Sequence, residues 1–338
     1  MESPSSAFTA HQLRFECEVR TPIQLQAHKG SALRGALFHA LRGDEGQGNG
    51  FCINKPELFC HRCPHHSVCP ISALLATVDD DSVRGVDVPR PYTIEPPVEA
   101  QTVYQPGERL DFGLTLFARA LDLFPYVIVG VRDLEEGGIG IGRPQPGSRS
   151  GWGRGRFVVR RITAVNPLTQ QERPVMQAGD DLVTVPDIPI TDAHVQAVAT
   201  LSPEAERLTL EFLTPLRLVD QGRLVQRLAF LPFLLRLLER LEALSVRYGG
   251  QRLPFDHAQL LPAVEQVTVL EDATRWIELE SYSTRRQARS PMGGLVGSVT
   301  FGGPLAPFLP WLLWGQFTHA GKDAVKGNGL YRLAAARA

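Results

Sequence analysis

Four of the five cysteines, Cys52, Cys60, Cys63 and Cys69, fall within eighteen residues of one another. Thiolates are soft ligands, and a pair at Cys-x2-Cys spacing, as in Cys60 and Cys63, is the usual sign of a metal knot. A cytoplasmic chain keeps its thiols reduced, so disulfides are the weaker reading. Four protein ligands leave zinc no open position, and the expected role is structural: a stiffened insertion over about 43–75. An iron–sulfur cluster takes the same ligands and is the alternative. His61, His65 and His66 stand close enough in sequence to replace one thiolate. Cys17 alternates with Leu13, Phe15 and Val19 and belongs inside a strand.

A second chemistry lies in two basic, glycine-rich segments. Gly137 to Arg161 holds six arginines and no acid, and Ser281 to Ala338 holds seven basic residues against Asp323 alone, a net +6 in each. The whole chain carries only −1, so these are local patches, of the kind that binds polyanions through phosphate contacts and counterion release. Glycine lets the backbone approach a phosphate and adopt positive φ, so that successive amides can point at an anion. Arg143, Arg149, Arg154 and Arg156 add charged donors in the first segment; Lys322 and Lys326 do so in the second. Trp152, between Arg149 and Arg154, is positioned to stack a base. The Gly138–Gly142 run is no dinucleotide fingerprint, because prolines and more glycines follow it where a helix is required.

These residues need a scaffold. The 338 residues exceed one comfortable core and imply two domains of roughly 150 residues each. With 43% hydrophobic and 21% charged residues, the composition excludes a disordered chain. The apolar stretches Leu228–Leu244 and Leu305–Phe317 are interrupted by charge or proline, so no membrane span is expected, and with no leader in view the protein reads as cytoplasmic. The halves echo each other. Leu13–Val19 alternates as a strand and Ser31–Leu41 has helical spacing with Ser31 as cap. Strand-like Arg109–Phe117, helical Phe124–Leu134 and a last strand Arg156–Val165 follow.

In the second half, Leu208–Leu218 precedes a leucine stripe at positions 231, 234, 235, 238, 241 and 244. Then come Arg275–Tyr282, Leu295–Phe301, a helix over Pro307–His319 and a strand Gly329–Leu333. Strand, helix, strand, strand, helix, strand is the ferredoxin-like pattern. The expected fold is therefore α+β: tandem ferredoxin-like (RRM-like) domains over 1–165 and 204–338, joined by a connector at 166–203, with the metal-binding cysteine insertion in the first.

The C-terminal run carries a resemblance. Gly293-Gly294-Leu295-Val296-Gly297-Ser298, then Phe301–Phe308, Thr318-His319-Ala320-Gly321-Lys322 and Gly327-Asn328-Gly329-Leu330-Tyr331 resemble the CRISPR precursor-RNA endoribonucleases of the RAMP superfamily. Thr214-Pro215-Leu216-Arg217-Leu218, Leu33-Arg34-Gly35-Ala36-Leu37 and Gly138–Arg143 extend the likeness to both halves. The resemblance implies metal-independent cleavage of CRISPR repeat RNA, with a 2′-hydroxyl attacking the adjacent phosphorus to leave 2′,3′-cyclic phosphate and 5′-hydroxyl ends. It implies a catalytic histidine in or just before the first helix. His39 and His28 are the candidates, with Lys29 in contention because relatives also use lysine; a loop at His28 folding back toward His39 would unite them. His319, in the His-x-Gly-Lys turn, is assigned to loop ordering or RNA contact. Precursor RNA and mature crRNA are the implied partners, with effector-complex subunits beside them and a monomeric or homodimeric state both open. The competing reading is a RAMP subunit that holds crRNA without cutting it.

Overall fold

The computed structural model describes residues 8–43, 50–52, 60, 63–76, 88–144, 152–202, 205–255, 257–283 and 288–334. The chain folds into two compact units. One comprises His11–Asn166 and Gln171–Ile188; the other comprises residues from Pro189 onward with the N-terminal residues through Ala10 and with Pro167–Gln170.

The first unit runs β1 (Ala10–Val19), β2 (Ile23–Gln24), α1 (Lys29–Arg42), β3 (Tyr92–Glu95), β4 (Val103–Tyr104), β5 (Phe112–Phe117), α2 (Phe124–Gly137), β6 (Ile139–Pro144), β7 (Trp152–Gly155), β8 (Phe157–Asn166) and β9 (Gln171–Gln177). Its main sheet has the order β3-β5-β1-β8-β9, and β6 and β7 form a separate hairpin. Leu13, Phe15, Cys17 and Val19 of β1 are buried, as period-two alternation requires, and Phe15 stacks on Phe112 with ring centroids 4.7 Å apart. The β1–β8 register shifts between Glu16 and Cys17, and near this bulge the Val159 amide donates to Glu135 Oε1 at 2.5 Å. Helix α2 has Pro125 in its first turn and a C-cap glycine, Gly138, at φ 73°. It crosses α1 at Gly130, where a Cβ would lie 2.7 Å from Leu37.

The second unit runs α3 (Asp192–Ala199), β10 (Arg207–Leu216), β11 (Val219–Asp220), β12 (Arg223–Leu224), α4 (Phe230–Leu244), α5 (His257–Val264), β13 (Thr268–Asp272), β14 (Arg275–Ile277), β15 (Glu280–Ser283), β16 (Ala288–Pro291), β17 (Gly294–Gly302), α6 (Leu309–Thr318) and β18 (Tyr331–Ala334). The order β13-β17-β10-β18 repeats that of β3-β5-β1-β8 in the first unit. In each unit the sequence is strand, helix, two strands, helix, strand, and the first strand lies between the third and the fourth. The architecture is α+β.

Several elements differ from the sequence expectation for physical reasons. Helix α1 starts two residues earlier than Ser31, because His28 supplies the cap. In α4 the buried face is Phe230, Phe233, Leu234, Leu237, Leu238, Leu241 and Leu244; Leu231 is 38% exposed, because phenylalanines next to the leucine stripe take the core side. Strands β3 and β13 were not foreseen. The first is only four residues long, and the second is exposed at every position, so neither displays an amphipathic repeat. Within the stretch read as a connector, β9 pairs with β8 and α3 carries a Thr191 capping box.

The C-terminal core turns on one small residue. Tyr331 is fully buried and donates its hydroxyl to the Leu312 carbonyl at 2.7 Å. A Cβ at Gly315 would sit 2.0 Å from that hydroxyl oxygen. Gly315→Ala should therefore destabilise the protein by about 1–3 kcal/mol as an overpacking change, measured by chemical denaturation, and adding Tyr331→Phe should recover part of the loss.

Candidate RNA interface and catalytic face

The start of α1 gathers two of the three candidate catalytic residues and gives both structural work. His28 is buried at the N-cap. Its Nδ1 accepts from the Ser31 amide at 3.2 Å and lies 2.9 Å from Ser31 Oγ, so the ring satisfies an otherwise orphaned helix donor. The Lys29 side chain is buried. Its Nζ donates to the carbonyls of Pro97, at 3.3 Å, and Glu99, and pairs with Glu99 Oε1 at 3.6 Å. The Tyr104 hydroxyl donates to the same carboxylate at 2.5 Å, and the ammonium lies 5.7 Å from the Tyr104 ring centroid. Burial lowers the Lys29 pKa while Glu99 opposes it; burial and Glu99 together push the Tyr104 hydroxyl well above its ordinary value.

His39 is half-exposed on α1, edge-on to Phe38 at 5.7 Å. Because α1 is continuous from Lys29 through Gly30, His28 and His39 stand at opposite ends, about 16 Å apart along the axis at 1.5 Å per residue. The expectation that His28 folds back toward His39 is thus corrected.

The cysteine segment abuts the end of the same helix. The Phe51 amide donates to the Leu41 carbonyl and the Phe51 ring meets Tyr126 edge-on at 5.3 Å. Arg34 and Arg90 both donate to the Leu75 carbonyl, at 3.1 and 2.7 Å, tying the far end of the insertion down. Burial raises the Cys60 pKa, Arg42 opposes the rise, and Cys69, Cys52 and Cys63 each add to it. The other three thiols thus each act on the charge of Cys60. Among the described residues, no three His, Cys, Asp or Glu side chains are grouped closely enough to hold a metal ion as they stand. The donor set suits zinc or an iron–sulfur cluster in chemistry. Cys17, by contrast, is simply buried in β1.

The first basic segment forms the β6–β7 hairpin. Gly140 and Gly155 let it press on β2: a Cβ at either would meet the Gln24 or the Pro22 carbonyl oxygen at 2.3 or 2.4 Å. Arg143, Arg154 and Arg156 are exposed on it, and Arg143 donates to Gln24 Oε1. Residues 145–151, with Arg149, and the Trp152 side chain lie outside the described residues.

The second basic segment departs most from expectation. Its amides turn inward. Lys322 donates to the Arg217 carbonyl, Gly329 to Pro215, Ala320 to Gly329, Lys326 and Asn328 to Asp323, and Gly327 to Ala324, while the buried Asn328 amide group donates to the Met292 carbonyl. Most of the loop's donors are thus spent on the protein rather than offered to a phosphate. His319 caps α6 at φ 58° and is fully buried, so its ring is enclosed by protein. Burial, then the charge of Arg240, lower its pKa to about 3. The Asn328 and Ala324 backbones oppose this weakly, yet neither ring nitrogen has a hydrogen bond of full geometry. Lys326 pairs with Asp323 at 2.9 Å, and Lys322 is exposed.

Arg217, whose carbonyl accepts from the Lys322 amide, and its neighbour Trp276 are two residues to which the sequence alone assigns no role. Arg217 donates to the Gly293 carbonyl at 2.9 Å, and its guanidinium lies 6.0 Å from the Trp276 ring centroid. An aromatic in a strand that also carries Arg275 was the available signal.

Comparisons with known proteins agree with this architecture. Residues 8–188 match AF_1859_N, an N-terminal domain, and residues 210–331 match the CRISPR-associated endoribonuclease Cas6. No curated protein matches. A solved "Partial Cas6-RT-Cas1--Cas2 complex" superposes with a TM-score of 0.58 at 14% identity, covering 98% of this chain and 46% of that one; this chain thus spans less than half of that relative. A Cas6 product complex gives 0.55 at 13% identity over 96% and 100% of the two chains, and Thermus thermophilus Cas6 gives 0.53 at 13% over 97% and 99%. At such identities these likenesses concern the fold. The fold is that of the solved Cas6 structures, and residues 210–331 carry the likeness to the CRISPR-associated endoribonuclease Cas6. By the model that matches more than half of it, the chain belongs to the AF_1859_N N-terminal-domain family.

The buried His319 yields a pH prediction. Its folded pKa lies below the unfolded value near 6.5, so the unfolded state binds the extra proton. The contribution of His319 is full above pH 6.5 and is lost as pH falls from there toward 3. Denaturation midpoints measured from pH 7 to pH 4 should fall less steeply for His319→Asn than for the parent protein.

Proposed function

We propose that the chain binds CRISPR repeat RNA and cuts it without a catalytic metal, yielding mature crRNA. Each unit is read as a ferredoxin-like domain, supported by the shared strand order in which the first strand lies between the third and the fourth. The observation that carries the catalytic assignment is the contrast along α1: His28 caps the helix and Lys29 clamps residues 97–99, whereas His39 is half-exposed. His39 takes the proton of the attacking 2′-hydroxyl. The new O2′–P bond forms as the P–O5′ bond breaks, and the 5′-oxygen takes a proton from water, leaving a 2′,3′-cyclic phosphate and a 5′-hydroxyl. The nucleophile is internal to the RNA, so no metal-bound water is required. Arg143, Arg154, Arg156 and Lys322 supply phosphate contacts.

His39→Ala should slow single-turnover cleavage of repeat RNA in EDTA by about 10²-fold or more with affinity retained, the usual cost of losing an acid or base. A single 2′-deoxy substitution at the scissile position should abolish cleavage by the parent protein. An unchanged rate for the variant would remove His39 from the reaction. Tight binding of uncut RNA by the parent protein would favour the non-catalytic crRNA-holding subunit, with effector-complex proteins as its partners.

For the cysteines, we propose a structural zinc held by Cys52, Cys60, Cys63 and Cys69, supported by the soft donor set and the Cys-x2-Cys spacing of Cys60 and Cys63. Elemental analysis of purified protein should find about one zinc per chain, lost on Cys60→Ser with Cys63→Ser. Iron with a visible absorption band would assign a cluster instead, and neither metal would end the proposal.

A further inference from the structure

The second unit carries an aromatic ring that the reaction above does not use. Trp276 is half-buried on β14, a three-residue strand that pairs with the start of β17 through Arg275–Val296, Trp276–Leu295 and Ile277–Gly294. Two glycines make the approach possible. A Cβ at Gly293 would lie 2.4 Å from the Ile277 carbonyl oxygen, and one at Gly294 would lie 2.5 Å from that of Leu216. Stripped of side chains there, β17 draws the end of β10 and the strand β14 together, and Arg217 thereby reaches Trp276.

The ring is fixed on two sides. The Arg217 guanidinium lies 6.0 Å from its centroid and is itself tethered to the Gly293 carbonyl at 2.9 Å. The indole N–H donates to Glu278 Oε1 at 2.7 Å, which sets the in-plane orientation. Lys322 comes next, because its amide is bonded to the Arg217 carbonyl, and its own side chain is exposed. A rigid ring backed by a cation, with a second cation one residue contact away, matches what a single unpaired nucleotide requires: a surface for the base and a charge for its phosphate.

We infer that Trp276, backed by Arg217, is a stacking platform for one unpaired base of the bound RNA, with Lys322 holding a phosphate beside it. The inference rests on the RNA-binding reading and deepens it. The platform reads the base by its π face, so it confers position without strong sequence preference. The glycines of the Gly293–Gly297 run act here through strand spacing rather than by binding phosphate themselves.

The test crosses an abasic scan of the repeat RNA with Trp276→Ala and Trp276→Phe, read as equilibrium affinity on the full chain. For the parent protein, one abasic position should weaken binding by about 5- to 150-fold, the range for losing one stacked base. Trp276→Ala should bind intact RNA weaker by a similar factor and show no further loss at that position, whereas Trp276→Phe should keep most of the affinity and the abasic penalty. Unchanged denaturation midpoints would confirm that both variants fold. A penalty of equal size in Trp276→Ala at every position would overturn the platform while leaving RNA binding intact. Failure of the parent protein to bind repeat RNA would overturn the RNA reading and the platform with it.

Discussion

The arrangement of the second unit hangs on two backbone carbonyls at the end of β10. Pro215 accepts from Gly329 and Arg217 accepts from Lys322, and the Thr214 hydroxyl accepts from Leu330 at 2.9 Å. Through these bonds the glycine-rich loop is folded back onto the strand that opens the unit, and several of its backbone amides find their acceptors within the chain. Gly321 and Gly329 adopt φ of 74° and 68° to allow it, and a Cβ on Gly329 would strike the Ala320 carbonyl oxygen at 1.8 Å. The same bonds bring Lys322 beside Arg217 and deprive the loop of the amides that an anion would need. Charge, rather than an amide nest, is what this loop presents.

A similar economy governs the first helix. A helix start leaves backbone donors without partners, and here a histidine ring rather than a serine supplies the acceptor. A buried lysine must find acceptors or lose its proton; Lys29 finds two carbonyls and a carboxylate, and in doing so holds the segment from Pro97 to Tyr104 against α1. His28 and Lys29 are thus both engaged in holding the start of this helix.

Much of this was legible before any coordinates, and the limits of legibility have physical causes. Alternation in β1 and the helical spacing of α2 each report burial on one side of a single element, which sequence records directly. The strand order is another matter of pattern, since repeated strand and helix signals admit few connections. What sequence does not record is which polar residues the tertiary fold encloses. His319, in a turn of glycines and lysines, reads as a surface residue; it is buried because α6 ends beneath the returning loop, with Arg240 donating to the Thr318 carbonyl at 2.7 Å. Trp276 stands next to Arg275 and Ile277 in a strand too short to show which side it presents. The four cysteines were visible by spacing alone, yet spacing carries no distances between side chains.

The outward face of the first sheet explains why the basic hairpin matters. Ferredoxin-like RNA binders commonly lay single strands across the sheet, using its aromatics. Here that face is covered by ion pairs: Arg14 with Glu172 and Glu16, Arg109 with Glu16 and Asp111, and Arg20 and Arg160 with Glu18. Four arginines meet four carboxylates, so these pairs together add no net charge. Pairs this exposed add little to stability, but they occupy every one of those guanidinium groups with a fixed anion. An RNA phosphate would have to displace a carboxylate to bind there and would release fewer counterions in doing so. The exposed arginines of the β6–β7 hairpin face no such competitor in any ion pair described, so a polyanion meeting them displaces no carboxylate.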